Sequence, residues 1–146
     1  MINRFQAFVS GITICYKYIQ KIKTMEMTEF GLKGTHVMCV FYIHHSNEGL
    51  TAAQLCQLCA EDKAAISRTL VTLQEKGYVE TGEKKYRAQI KLTEKGEKLA
   101  SQIDGIIEQW VGFGGDGLTE EERNSFYHAL DLISSNLREQ IYKEKK

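Results

Sequence analysis

The sequence predicts a mainly α-helical fold with one small β-hairpin, and three observations carry that expectation. The 146 residues contain no proline, so no helix interior meets the residue most hostile to it. Apolar side chains recur in alternating steps of three and four over long stretches at both ends of the chain, the spacing that lines one face of a helix. Near the middle, two short strand-like runs, Tyr78–Thr81 and Ala88–Leu92, flank the polar, lysine-rich GEKKYR, the layout of a hairpin. A chain of this length is one domain by size and is long enough to bury a core.

The first helix is expected over 2–24, where Phe5, Phe8, Ile12, Cys15, Ile19 and Ile22 form an apolar seam. The opening MINRFQAFVSGITICY has the look of a signal peptide, but KYIQKIKT follows where a small-residue cleavage site would stand. No run reaches the roughly 18–20 apolar residues that span a bilayer. The expected location is therefore cytoplasmic, with no membrane partner.

A second helix is expected from Lys33 to Ser46, bracketed by glycines, with Val37, Val40, Phe41 and His44 on related faces. Two short helices follow at 51–59 and 62–76, separated by Ala60 and Glu61. Thr51 with Gln54 makes a capping box, Asp62 can cap the next helix, and Gly77 closes it. After the hairpin, Leu99, Ile103, Ile106, Trp110 and Phe113 mark a helix over 94–112. The glycines of GFGGDG form a joint, and Thr119 with Glu122 opens a last helix. Its seam is Phe126, Leu130, Ile133, Leu137 and Ile141. Three long helices with apolar seams exceed what a small lobe can cover. Either an intramolecular bundle or a second copy would bury them.

Helix, tight turn, helix and basic hairpin from Thr51 to Gly96 is the arrangement of a winged helix-turn-helix, whose second helix fits a DNA major groove. The side chains suit double-stranded DNA. Lys63, Ala64, Ala65, Ser67 and Arg68 occupy the first turns of the second helix, where small residues let the backbone approach a groove and Ser67 and Arg68 can donate to bases and phosphates. Ile66, Leu70 and Leu73 form the opposing apolar stripe. Thr51, Lys84, Lys85 and Arg87 complete the expected contact set. Net charge is zero, which argues against a nonspecific nucleic-acid coat. Residues 62–98 hold nine Lys/Arg against six Asp/Glu, and residues 99–146 five against nine. The modest basic bias lies where DNA would.

The segments DKAAISRTLVTLQEKGYV and KKYRAQIKLTEKGEKLA, with the LTEEE that opens the last helix, resemble the multiple-antibiotic-resistance regulator (MarR) family of bacterial transcription factors. The resemblance covers essentially the whole chain. It implies an obligate homodimer in which residues 33–98 form the winged helix-turn-helix lobe. Residues 1–32 and 99–146 would form a helical dimerisation base, with Phe5, Phe8, Ile12, Phe126, Leu130, Ile133, Leu137 and Ile141 at its interface. It also implies a transcriptional repressor on a pseudo-palindromic operator, released by a small aromatic or phenolic ligand in a cleft near Tyr16, His36, Tyr42 and His44. Many members carry D-x-R in the wing; here Arg87 is kept and the aspartate is missing.

Cys56 and Cys59 form a C-x-x-C inside a short helix, but no second pair follows, so no zinc centre and no other cofactor is expected. Some members of the family sense peroxide through a cysteine near the start of the first helix. Arg4 falls near that place, and Cys15 lies about three turns further on. Cys15, Cys39, Cys56 and Cys59 are expected to be small buried apolar residues. A metal- or redox-responsive use of them is one alternative, and a protein-binding winged helix is another. No phosphate loop or nucleophile–base pairing at a recognised spacing supports an enzyme.

Overall fold

The computed structural model describes residues 1–82 and 88–143, and among them the chain forms six α-helices and two strands. Helix α1 spans Ile2–Met27. It overruns its expected end because nothing in KTMEM stops a helix, and Thr24 and Thr28 each donate back to the carbonyl four residues earlier. A single 3-10 turn, Thr28–Phe30, then ends at Gly31 in the left-handed region, φ 64°. Of the whole helix only Met27 is buried.

Helix α2, Gly34–His44, is the opposite case, burying His36, Val37, Cys39, Val40 and Ile43. It packs against α1, α3 (Ala52–Cys59), α4 (Lys63–Glu75) and strand β2 (Ile90–Leu92). Around it sit Leu55, Ile66 and Leu73, then Val79 of strand β1 (Val79–Thr81), Ile90 of β2, and Leu99, Ala100 and Ile103 of α5 (Glu94–Gly114). These side chains are the core of the lobe.

The strands pair antiparallel, Val79 with Leu92 and Thr81 with Ile90, and each is three residues long, shorter than the sequence suggested. Leu50 adds a bridge that periodicity could not show: it exchanges two hydrogen bonds with Ile90, at 3.1 and 2.8 Å. One residue has no period. Gly49 makes the bridge possible, with φ 84°; a Cβ there would lie 2.5 Å from the Ile90 carbonyl oxygen.

Helix α5 continues through Gly112 and Gly114, so the expected glycine joint is shorter and lies at 115–119. Helix α6, Glu120–Lys143, buries none of its residues. Met1–Ile106 and Ile107–Lys146 form two compact units. Among the described residues no helix is long and apolar enough to cross a membrane.

Candidate nucleic-acid interface

The helix pair at 51–75 is built from its caps outward. The Thr51 N–H donates to Gln54 Oε1 at 2.8 Å and the Gln54 N–H to Thr51 Oγ1 at 3.2 Å, so the expected capping box is present. Ala60 closes α3 in the left-handed region, φ 51°, the one residue other than glycine to do so among those described. Asp62 then accepts from the Ala65 N–H at 2.7 Å and starts α4.

Helix α4 separates two chemistries. Ile66, Thr69 and Leu73 face the core, while Lys63, Ala64, Ser67 and Arg68 are exposed and Ala65 is half-buried. The inward row differs from the expected one in a single place: Thr69 is buried and Leu70 only half-buried. Positions 69 and 70 flank the Ile66–Leu73 line on either side, and only the neighbouring elements decide which flank is covered. Among the described residues no carboxylate pairs with Lys63 or Arg68. Both cations stand free on a face of small side chains.

The motif LTEKG ties the base of the hairpin to the end of α4. Thr93 Oγ1 donates to the Gly77 carbonyl at 2.6 Å and accepts from the Gly96 N–H at 3.0 Å, capping α5. Lys95 donates to the Lys76 carbonyl at 2.7 Å and sits 4.7 Å over the Tyr78 ring, satisfying a helix-end carbonyl with a cation. Gly96 presses on the Tyr78 carbonyl, where a Cβ would come within 2.0 Å of the oxygen. The expected contact residues Lys84, Lys85 and Arg87 lie outside the described residues.

The four residues expected at an effector cleft have separate engagements. Tyr16 is exposed on α1, its hydroxyl accepting from Gln20 at 2.9 Å. His36 is buried, and its Nδ1 accepts from the Lys33 N–H at 2.9 Å in a capping box for α2. Burial first, then the nearby Lys33 and Lys76, hold His36 below the usual histidine range. Tyr42 is half-buried against the edge of Phe41, and burial pushes its phenol up. His44 Nδ1 lies 2.6 Å from Glu97 Oε2.

The cysteines correct the sequence reading. Cys15 is exposed, Cys56 and Cys59 are half-buried, and only Cys39 is fully buried. Cys59 meets Cys39 of α2, with the sulfurs 3.8 Å apart, rather than its C-x-x-C neighbour. The expectation of four buried residues failed because Cys15 lies on α1, which buries only Met27, and Cys56 and Cys59 lie on a short helix that buries only Leu55. On the terminal helices, Phe5, Phe8, Ile12, Phe126, Ile133, Leu137 and Ile141 are exposed and Leu130 is half-buried.

Residues 30–85 match the model of the MarR family. The fold is similar to that of a MarR family transcriptional regulator from Listeria monocytogenes complexed with a 26mer DNA, at 22% identity and a TM-score of 0.84, covering 94% of each chain. A MarR/EmrR family transcriptional regulator from Acinetobacter sp. ADP1 shares 22% identity at a TM-score of 0.81, over 95% of this chain and 99% of that one. S. aureus MepR in its DNA-binding conformation shares 19% at 0.81, over 89% and 98%. Residues 30–85 thus resemble the MarR family, and the fold of the chain is similar to that of solved MarR family regulators.

Proposed function

We propose that this chain is a transcriptional regulator that binds double-stranded DNA as a cytoplasmic homodimer, most simply as a repressor. The observation that carries the reading is the two-sided helix α4: a core row of Ile66, Thr69 and Leu73, and an outer face of Lys63, Ala64, Ser67 and Arg68 free of carboxylate partners among the described residues. A helix with small residues and unpaired cations on its exposed first turns can enter a major groove without a steric or electrostatic penalty. A structure with the same fold holds a 26mer DNA, which supports the same use here.

The dimer reading rests on α1 and α6, whose apolar side chains are exposed and would be buried by a second copy. Two recognition helices in successive major grooves stand roughly 34–36 Å apart, which calls for a pseudo-palindromic operator. Residues 33–98 would be the reading lobe, with Thr51 at its edge and Lys84, Lys85 and Arg87 on the sugar–phosphate backbone. A small aromatic or phenolic acid would release the DNA by acting near Tyr16, His36, Tyr42 and His44.

The test is a gel shift with the promoter region of the protein's own gene, with and without excess nonspecific DNA. The parent should give a competitor-resistant complex. Arg68→Ala should weaken it by about 1–3 kcal/mol with the fold unchanged by circular dichroism. Binding of the specific site by Arg68→Ala at full strength would remove α4 from the interface. No complex with any promoter fragment would favour a winged helix that binds protein instead.

A further inference from the structure

A cluster of metal-ligand side chains lies where the end of α2 meets α5, and of its members only His44 has an expected role, at the effector cleft. His44 is the last residue of α2 and His45 its C-cap; Glu97 and Asp104 lie on α5, two turns apart. His45 Nε2 is 3.1 Å from Asp104 Oδ1 and His44 Nε2 is 3.5 Å from Asp104 Oδ2. Among the described residues, His44, His45 and Asp104 form the one group whose three donor atoms all lie within 4.8 Å of one another.

We infer that His44, His45 and Asp104 bind a divalent transition metal, zinc being the ion their chemistry fits best. The first argument is geometric. Donors held about 2.1 Å from a common ion lie roughly 3.0–3.4 Å apart in octahedral or tetrahedral arrangements; the His45–Asp104 separation of 3.1 Å falls inside that range and the His44–Asp104 separation of 3.5 Å, to the other carboxylate oxygen, just above it. The second is the tautomer that Glu97 selects. A carboxylate oxygen 2.6 Å from His44 Nδ1 takes the ring's hydrogen on that side. With its hydrogen on that side, a ring carrying one proton turns its Nε2 lone pair toward Asp104, the orientation in which both groups can ligate one cation. A carboxylate behind a ligating imidazole is also how metal-bound histidines are commonly oriented. The third is the donor set. Two imidazoles with one carboxylate suit zinc and its neighbours in the first transition row, whereas magnesium and calcium prefer all-oxygen shells.

The site is partly open to solvent, with His45 half-exposed and packed on the Phe41 ring, centroids 4.6 Å apart. Three protein ligands leave room for water or a further ligand. An ion there would tie the end of α2 to α5, adding to the contacts of His44 with Glu97 and of His45 with Asp104. The inference concerns metal binding alone and does not depend on the DNA-binding reading.

Zinc binding to the full-length protein, stripped with chelator and then titrated against a chromophoric competitor, tests it. One equivalent per chain should bind. His45→Ala and Asp104→Asn should each lower affinity by more than about 100-fold, and Glu97→Gln by about 10–100-fold through the lost orientation of His44. The double variant Cys39→Ala/Cys59→Ala should bind as the parent does. Cobalt substitution should give visible ligand-field bands without a thiolate charge-transfer band. Circular dichroism checks that these surface substitutions leave the fold in place. No stoichiometric binding overturns the inference, as does binding that survives both His45→Ala and Asp104→Asn. Loss of binding in the cysteine variant, or a thiolate–cobalt band, would place the metal on sulfur and overturn it equally.

Discussion

The lobe and the terminal helices spend similar apolar sequences differently. Helix α2 is 11 residues long and buries five of them; α6 is 24 residues long and buries none. Leu55, Ile66 and Leu73 are wholly enclosed, while Leu137 and Ile141 on α6 are more than half exposed. The same residue type at the same helical spacing is core in one place and uncovered surface in the other. Periodicity announces that a stripe must be covered, without saying by what. In the lobe the cover is the rest of the chain; for α6 it is the proposed second copy.

Breaking that contrast gives the largest expected effect. Leu137→Glu places a carboxylate in the stripe that a second copy would bury, and an unpaired buried charge is costly enough to dissociate the pair. Light scattering after size exclusion should then change from dimer to monomer at micromolar concentration. A parent chain that is itself monomeric there would end the dimer reading.

The lobe should respond in another way. Leu73→Ala leaves a cavity in an enclosed site and should lower stability by about 2–5 kcal/mol. Denaturation should show the same loss at low and high protein concentration, because the cover there is intramolecular. A loss that grows with concentration would mean the two regions are not separable as described. Smaller still is the cap: Thr51→Ala removes the acceptor for the Gln54 N–H and should cost about 1 kcal/mol, read from the same curves.

Acidification sharpens the comparison from within α2. The unfolded chain holds His36 near the ordinary value of 6.5, and folding lowers it, chiefly by burial. As pH falls through that value the unfolded state takes the proton first, so stability is full above it and declines toward the lower, folded value. Protonation also removes the Nδ1 acceptor of the Lys33 N–H. His36→Gln should flatten the stability profile just below the ordinary histidine range; an unchanged slope would assign the titration elsewhere.

Much of the helical layout was legible because it depends on local chemistry. Thr51 with Gln54, Asp62 and Gly77 mark their helix ends through bonds made within a few residues, and each does so in the structure. The length of α1 was misjudged for the complementary reason: no local stop stands at 24, and the helix runs to Met27 and its 3-10 turn. The GFGGDG joint was read too long, since glycine permits a turn without requiring one, and α5 persists to Gly114.

The sequence by itself determined the order and type of the elements and the polar outer face of α4, because capping, periodicity and glycine act over one or two turns. Tertiary structure decided which flank of α4 is covered, placing Thr69 inside and Leu70 at the margin. It also paired Cys59 with Cys39 rather than with Cys56, and bridged Leu50 to Ile90. It brought Asp104 to His44 and His45 across about 60 residues of chain. Contacts of that kind leave no period in the sequence, since the spacing between partners is set by the path of the intervening chain and not by the repeat of any single element.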